Sequence, residues 1–366
     1  MSRRLLVLKA GSGASNNLIR GLKAGDPSFF VVGCNHDRFI LKKSSADRSY
    51  LIPPPDQPGY LAALCRVVRE ERIQLIIPNS EADVTAISNL RGELPCRTFL
   101  PRKEVIELCQ DKYRLTTSLR RHGLPVPRTY EVADVRRIER LFRRFKRGSV
   151  LWCRIRRGSS SLGAIPVKRP EHASSWIKYW EEMCGTPPGS FTLSEFLPGR
   201  DYCVQLLWRD GKLVQSKMHE RLSYYVAGGG PSGVSSTAGF ARTIFEPGVI
   251  RTCAKAIRAL DPKASGVFFL DLKENARDVP CITEINAGRF ANVPTIHDSI
   301  GTQNMALAYV RLAFGEPLNM GTMRRPADEY YVLRDLDTAP AVFLTRQASE
   351  GIRDARTDRR TIRSTT

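Results

Sequence analysis

Short apolar runs alternate with amphipathic, helix-compatible stretches through the first part of the chain, and no other feature restricts the fold as much. Leu5-Leu6-Val7-Leu8 is followed by Gly11-Ser12-Gly13 and a helical stretch from Asn16 to Ala24. Phe29 to Gly33 reads as a second strand, Gly59 to Glu71 as an amphipathic helix, and Ile73 to Ile77 as a third apolar run ending at Pro78-Asn79. A short apolar run bounded by glycine or proline suits a buried strand. Strands separated by helices pair in parallel through right-handed crossovers. Residues 1–105 are therefore expected to form a Rossmann-like α/β domain around a doubly wound parallel sheet.

The texture changes at Pro101. Two helical patterns, Lys103 to Arg121 and Val135 to Lys146, flank the proline-containing stretch Leu124 to Tyr130. Val150 to Ile155 and Ala164 to Val167 read as strands around the loop Arg157 to Gly163. Tyr202 to Trp208 and Lys212 to Ser216 flank Asp210-Gly211, which tolerates the positive φ of a tight hairpin turn. Val267 to Leu272 and Cys281 to Ile285 form another apolar pair. This half is expected to be antiparallel.

The 366 residues, 42% of them hydrophobic, suffice for about two or three domains. No apolar run approaches the ~18 residues that span a membrane, and the first apolar stretch is short for a secretory signal, so a cytoplasmic location is expected. Nine cysteines show no C-x-x-C spacing and suggest buried thiols. The formal net charge of +20 attracts polyanions, which keeps nucleic acid, nucleotides and acidic substrates in view. From Ser349 onward the only aliphatic side chains larger than alanine are Ile352 and Ile362, so the basic end is expected to be a solvated tail.

The chemistry concentrates in Gly266 to Asp271 and Cys281 to Asn286. Alternation places Val267, Phe269 and Asp271 on one face, and Ile282, Glu284 and Asn286 on one face of the partner strand. Paired as a hairpin, the two carboxylates and the amide oxygen converge from an apolar surface, a donor set that suits Mg²⁺ shared with phosphates. The alternative is that each polar residue sits at a strand end in water.

The order of Asp111-Lys112, Arg154 with the loop Arg157 to Gly163, Glu195-Phe196-Leu197-Pro198-Gly199-Arg200-Asp201, and Asp271, Glu284 and Asn286 resembles the ATP-grasp superfamily. It looks closest to the branch that includes the carbamoyl phosphate synthetase large subunit and carboxylate-amine ligases, and the similarity covers roughly residues 1 to 320. The resemblance implies an N-terminal α/β domain over 1–105, a lid subdomain over 106–190, a metal- and substrate-binding subdomain over 191–325, and an extension over 326–366. It implies that Lys112 and Arg154 contact ATP phosphates, and that the loop containing Ser159, Ser160 and Gly163 closes over them. Glu195, Phe196 and Leu197 would bind adenine and Asp201 the ribose. Asp271, Glu284 and Asn286 would hold Mg²⁺, with Mn²⁺ as an alternative, and Arg289 and Arg221 would act on the transferred phosphoryl group. The loop Arg157 to Gly163 has the alternative of an exposed hairpin tip; the glycine-rich Val226 to Thr237 reads as an acceptor-substrate or phosphate loop, with a disordered surface loop as its alternative.

The function these residues imply is ligation of a carboxylate to an amine or ammonia with release of ADP and phosphate. No cysteine-based glutamine-hydrolysing module is recognisable. Small-molecule substrates are the expected partners, with a homodimer left open and no membrane partner. Two other classes stand against this reading. An NAD(P)-dependent oxidoreductase built on Gly11-x-Gly13 would have its third glycine where Asn16 stands. A basic nucleic-acid-binding protein would explain the charge, yet the arginines are interleaved with acids and no recognition signature accompanies them.

Overall fold

The computed structural model describes residues 2–158, 161–224, 237–299, 303–318, 330–334 and 349–356. Among them three sheets form. The first is parallel: β1 (Arg4–Leu8), β2 (Phe30–Asn35), β3 (Arg48–Leu51), β4 (Leu75–Ile77) and β5 (Arg97–Thr98) lie in the order β3-β2-β1-β4-β5. Leu6 and Leu8 pack with Leu64 of the Tyr60–Glu70 helix, while Leu5 and Val7 pack with Leu18 and Leu22 of the Gly13–Gly25 helix. Helices on both faces explain why β1 is continuously apolar rather than alternating. The expected doubly wound domain is present. Gly11 has a φ of +86°, and a Cβ there would overlap the Ile40 carbonyl, so this glycine serves close packing inside the domain.

The second sheet is small and antiparallel. β6 (Thr129–Glu131), β7 (Leu151–Ile155), β8 (Ile165–Val167) and β9 (Phe191–Glu195) lie in the order β6-β9-β7-β8. Leu151, Cys153, Phe191 and Leu193 pack there with Ile177 and Trp180 of the Pro170–Cys184 helix.

The third sheet holds β10 (Asp201–Arg209), β11 (Lys212–Tyr224), β12 (Ala238–Thr243), β13 (Gly266–Glu274), β14 (Pro280–Ala287) and β15 (Tyr331–Leu333), antiparallel in the order β14-β13-β10-β11-β12-β15. Asp210 and Gly211 both have positive φ, as the hairpin reading requires. Val204, Leu206, Leu270 and Leu272 bury one face of this sheet against the Pro247–Leu260 helix. The opposite face looks into a cleft.

Four readings are altered by the structure. The Lys103 to Arg121 pattern is two helices, Lys103–Gln110 and Lys112–Arg121, because Asp111 is extended and its carboxylate accepts from Tyr113 N and Arg114 N, both at 3.1 Å. The Val135 to Lys146 pattern is α-helical only over Ile138–Phe142, after a 3₁₀ turn at Val135–Arg137; closely spaced like charges from Arg136 to Arg147 oppose a longer helix. A bulge between Asp271 and Leu272 leaves Asp271 opposite Glu284 but Leu272 opposite Ile282. Ile282 therefore joins the core cluster of Leu270 and Leu272 and does not share the face of Glu284.

The fourth concerns the tail. Ile352–Asp354 pairs in parallel with β3 as the edge strand of the first sheet, with Ile352 opposite Ser49. Ala355 N donates to Leu51 O and Arg66 donates to Ala355 O, both at 2.9 Å. Backbone pairing and guanidinium contacts anchor residues 349–356, a source of order that counting aliphatic side chains misses. Residues 357–366 lie outside the described set. Among the described residues no helix is long and apolar enough to cross a membrane, and all nine cysteines are free thiols.

Candidate functional site

The end of β1, the start of the Glu81–Leu90 helix, the small sheet and the open face of the third sheet line one cleft of about 810 Å³. Its floor follows from the third sheet's register. Asp271 faces Glu284 across β13 and β14, and Asn286 lies two residues further along β14. The two acids are four-fifths buried and Asn286 nearly fully so.

Cations surround this set. Arg221 bridges Asp201, at 2.8 Å, and Asp271. Lys112 lies 3.7 Å from Glu284 and donates to Gly158 O at 2.5 Å. Arg154 donates to Thr283 O at 2.9 Å, and Arg289 donates to Asn286 Oδ1. Burial, reinforced by the facing Glu284 charge, pushes the Asp271 carboxyl up against the pull of Arg221. Burial also penalises the Glu284 charge, yet Lys112, Arg154 and Arg289 outweigh it and hold that carboxyl low.

The aim of Lys112 comes from its neighbour. Asp111 caps the following helix and takes two hydrogen bonds from Arg156, at 2.9 and 3.2 Å, while Lys112 N donates to Arg156 O at 2.9 Å. The Asp-Lys pair thus docks the helix start against the end of β7.

At the other end of the cleft, Glu195, Phe196 and Leu197 lead from β9 toward β10, and the Phe196 ring lies 6.2 Å from that of Trp152. Glu195 accepts from Arg128 N at 3.3 Å. Together with Ile155, Ala164 and Pro166 these residues make a slot with apolar walls and a polar edge, the character a flat heterocycle requires.

The residue types fit a divalent cation jointly held with phosphate. Among the described residues no three His, Cys, Asp or Glu side chains cluster so as to hold a metal. Two facing carboxylates plus an amide oxygen leave coordination positions for phosphate oxygens and water, which is how Mg²⁺ is commonly bound. The upward push on Asp271 by Glu284 is a repulsion that a cation between them relieves.

Lys112, Arg154, Glu195, Phe196, Leu197, Asp201, Arg221, Asp271, Glu284, Asn286 and Arg289 all line this cleft. Gly163 does not line it directly; a Cβ there would overlap the Ile155 side chain, and its φ is +68°. Ser159, Ser160 and residues 226–236 of the glycine-rich loop lie outside the described residues. Both carboxylate oxygens of Asp201 are engaged, by Arg221 and by the Tyr224 hydroxyl. Sequence reasoning missed Lys9, Trp152, Lys273, Asn292 and Arg334, which also line the cleft. Lys9 has a φ of +56° at the end of β1, and its position just before Gly11-x-Gly13 was the available signal.

A parallel-sheet unit, a small antiparallel sheet and a larger one enclosing a common cleft define an ATP-grasp fold. The biotin carboxylase domain of 2-oxoglutarate carboxylase from Hydrogenobacter thermophilus, solved with MgADP, ADP and bicarbonate, matches with a TM-score of 0.69 and 16% identity, over 90% of this chain and 74% of that one. L-amino acid ligase from Bacillus licheniformis matches at 0.65 and 13%, over 90% and 79% of the two chains. N5-carboxyaminoimidazole synthase from Aspergillus clavatus, in complex with ADP and 5-aminoimidazole ribonucleotide, matches at 0.66 and 13%, over 90% and 81%. At these identities the likeness is one of fold. No protein-family profile matches the sequence, and no curated protein matches it in sequence.

Proposed function

We propose that the chain is an ATP- and Mg²⁺-dependent ligase that activates a carboxylate as an acyl phosphate and transfers it to an amine or ammonia, releasing ADP and phosphate. The observation that carries this reading is the convergence of Lys112, Arg154, Arg221 and Arg289 on Asp271, Glu284 and Asn286, with the Trp152–Phe196–Leu197 slot at the far end of the same cleft. The neighbours support it: one was solved with MgADP and bicarbonate, another with ADP and an amine-bearing ribonucleotide.

In this reading the slot takes adenine and Glu195 its polar edge. Lys112 and Arg154 bind phosphate oxygens, and Asp271, Glu284 and Asn286 hold the Mg²⁺ that neutralises phosphate charge when bound. A substrate carboxylate oxygen attacks the γ-phosphorus, the bond to the β-bridging oxygen breaks, and ADP leaves. The amine lone pair then attacks the acyl carbon, the bond to phosphate breaks, and the amine gives up a proton. Arg289 and Arg221 lie where they can stabilise the charge on the transferred group. The partners are small-molecule carboxylates and amines, and the proposed location is the cytoplasm.

The oxidoreductase alternative finds less support. Asn16 is buried and bonds Lys43 O at 2.7 Å and Ser45 N at 3.2 Å, and Gly11 is packed on Ile40, so the glycine turn serves the domain's own packing.

The test is to incubate the protein with Mg-ATP, pooled carboxylates and amines, and to follow nucleotide products and new amides by mass spectrometry. ADP and phosphate are expected. Production of AMP and pyrophosphate instead would overturn the acyl phosphate route.

A further inference from the structure

Alternation along β11 sends Arg221, His219 and Lys217 to the cleft face, opposite Asp201, Cys203 and Gln205 of β10. The two outer cations are matched: Arg221 by Asp201 and Asp271, Lys217 by Asp298. His219 is not. Only 1% exposed, it still borders the cleft, and neither of its ring nitrogens has a hydrogen-bond partner among the described residues. Its ring lies 4.5 Å from that of buried His297, whose Nε2 is also unpartnered. A buried polar group left without a partner is costly, so its persistence at a cleft wall calls for an occupant.

Resting on the ligase reading, we propose that His219, backed by His297, is the specificity contact of the acceptor end of this cleft and hydrogen-bonds an uncharged polar group of the bound substrate: a hydroxyl, a carboxamide or a free-base amine. His219 lies two residues from Arg221 on the side away from the adenine slot, opposite Cys203, which packs with Phe269 and Ala291 on the cleft wall. That wall is apolar and leaves the imidazole as the polar anchor. Burial, followed by the charges of His297, Lys217 and Arg221, holds His219 well below its ordinary pKa. A neutral ring offers one donor and one acceptor, which matches groups that do both. With Lys217 and Arg221 already paired, the neutral ring itself offers no charge to meet either a carboxylate or an ammonium group.

The probe is acetamide, with acetate and methylammonium as charged counterparts, added to full-length protein labelled with nitrogen-15 in its histidine rings. His219→Gln assigns the signal among the five histidines. Should that variant not fold, His297→Gln and glutamine variants of the exposed His36, His122 and His172 assign it by elimination. Acetamide is expected to shift the His219 ring nitrogens saturably and to leave the exposed histidines unmoved. No shift at His219, or an equal saturable shift with acetate or methylammonium, overturns the assignment. A parallel calorimetric titration with MgADP separates the two readings: failure of MgADP to bind sinks the ligase proposal, while the acetamide result stands without nucleotide.

Discussion

Glu284 keeps its charge in a buried position because Lys112, Arg154 and Arg289 compensate for lost water. Glu284→Gln and Asn286→Ala keep the side chain's polarity or reduce its size, so folding is expected to survive while ADP release falls by at least about 10²-fold, the scale of losing a principal electrostatic contact. Wild-type ADP release from either purified variant would overturn the proposed metal-site assignment. Glu71 is a different kind of buried acid, structural rather than chemical. Its carboxylate is 1% exposed and receives Arg4 and Arg48, at 2.5 and 2.7 Å, and the Tyr50 hydroxyl. Burial raises its pKa, but Arg48, Tyr50 and Arg4 together hold it low. A lowered native pKa contributes stability above the unfolded value of about 4.3, lost as pH falls through the native one. Glu71→Gln should therefore cost about 1–3 kcal/mol near neutrality and less in acid, read by urea unfolding at several pH values. Asp271, Glu284 and Asn286 were legible in sequence because strand alternation is local. Ile282 was misplaced because the bulge beside it depends on the partner strand, which no single strand encodes.

The break between the Lys103–Gln110 and Lys112–Arg121 helices shows how an element boundary places a cleft side chain. Asp111→Ala removes the cap and both Arg156 contacts, so a loss of about 0.5–2 kcal/mol is expected from the cap alone. It should also weaken MgADP binding, because Lys112 loses its aim; unchanged affinity in a folded variant would separate cap from site. The apolar period of the sequence ran straight through this point, since a cap alters backbone direction without altering periodicity. The C-terminal strand illustrates the opposite failure. Its residues are polar, and its order comes from the edge of β3, from Arg66 and from the contact of Arg353 with Tyr50 at 3.2 Å. Truncation after Ala348 is expected to speed amide exchange in β3 while leaving ADP release near wild type, since the strand lies on the outer edge of the first sheet.

Across the whole molecule, the order of four short motifs sufficed to recover the fold, because each occupies a fixed station around the cleft. Another part of the cleft lining was not legible: Lys9, His219, Asn292 and Arg334 are far apart in the chain and border one cleft only through tertiary packing. That assembly has a thermodynamic consequence. Lys9 and Glu81 belong to the first unit, Trp152 and Arg154 to the small sheet, and Asp271 and Glu284 to the third. A nucleotide touching the second and third of these adds contacts that exist only in their native juxtaposition. Bound at 100 times its Kd, a ligand stabilises the native state by about 2.7 kcal/mol. MgADP should thus raise the unfolding temperature and slow amide exchange in β7 and β13 together. The net charge of +20 adds a long-range attraction for the anionic nucleotide that salt screens, so the association rate should fall with ionic strength more than the dissociation rate rises. Protection confined to a single sheet at saturating MgADP would mean that the cleft does not act as one site, and the placement of adenine and phosphates at its two ends would have to be abandoned.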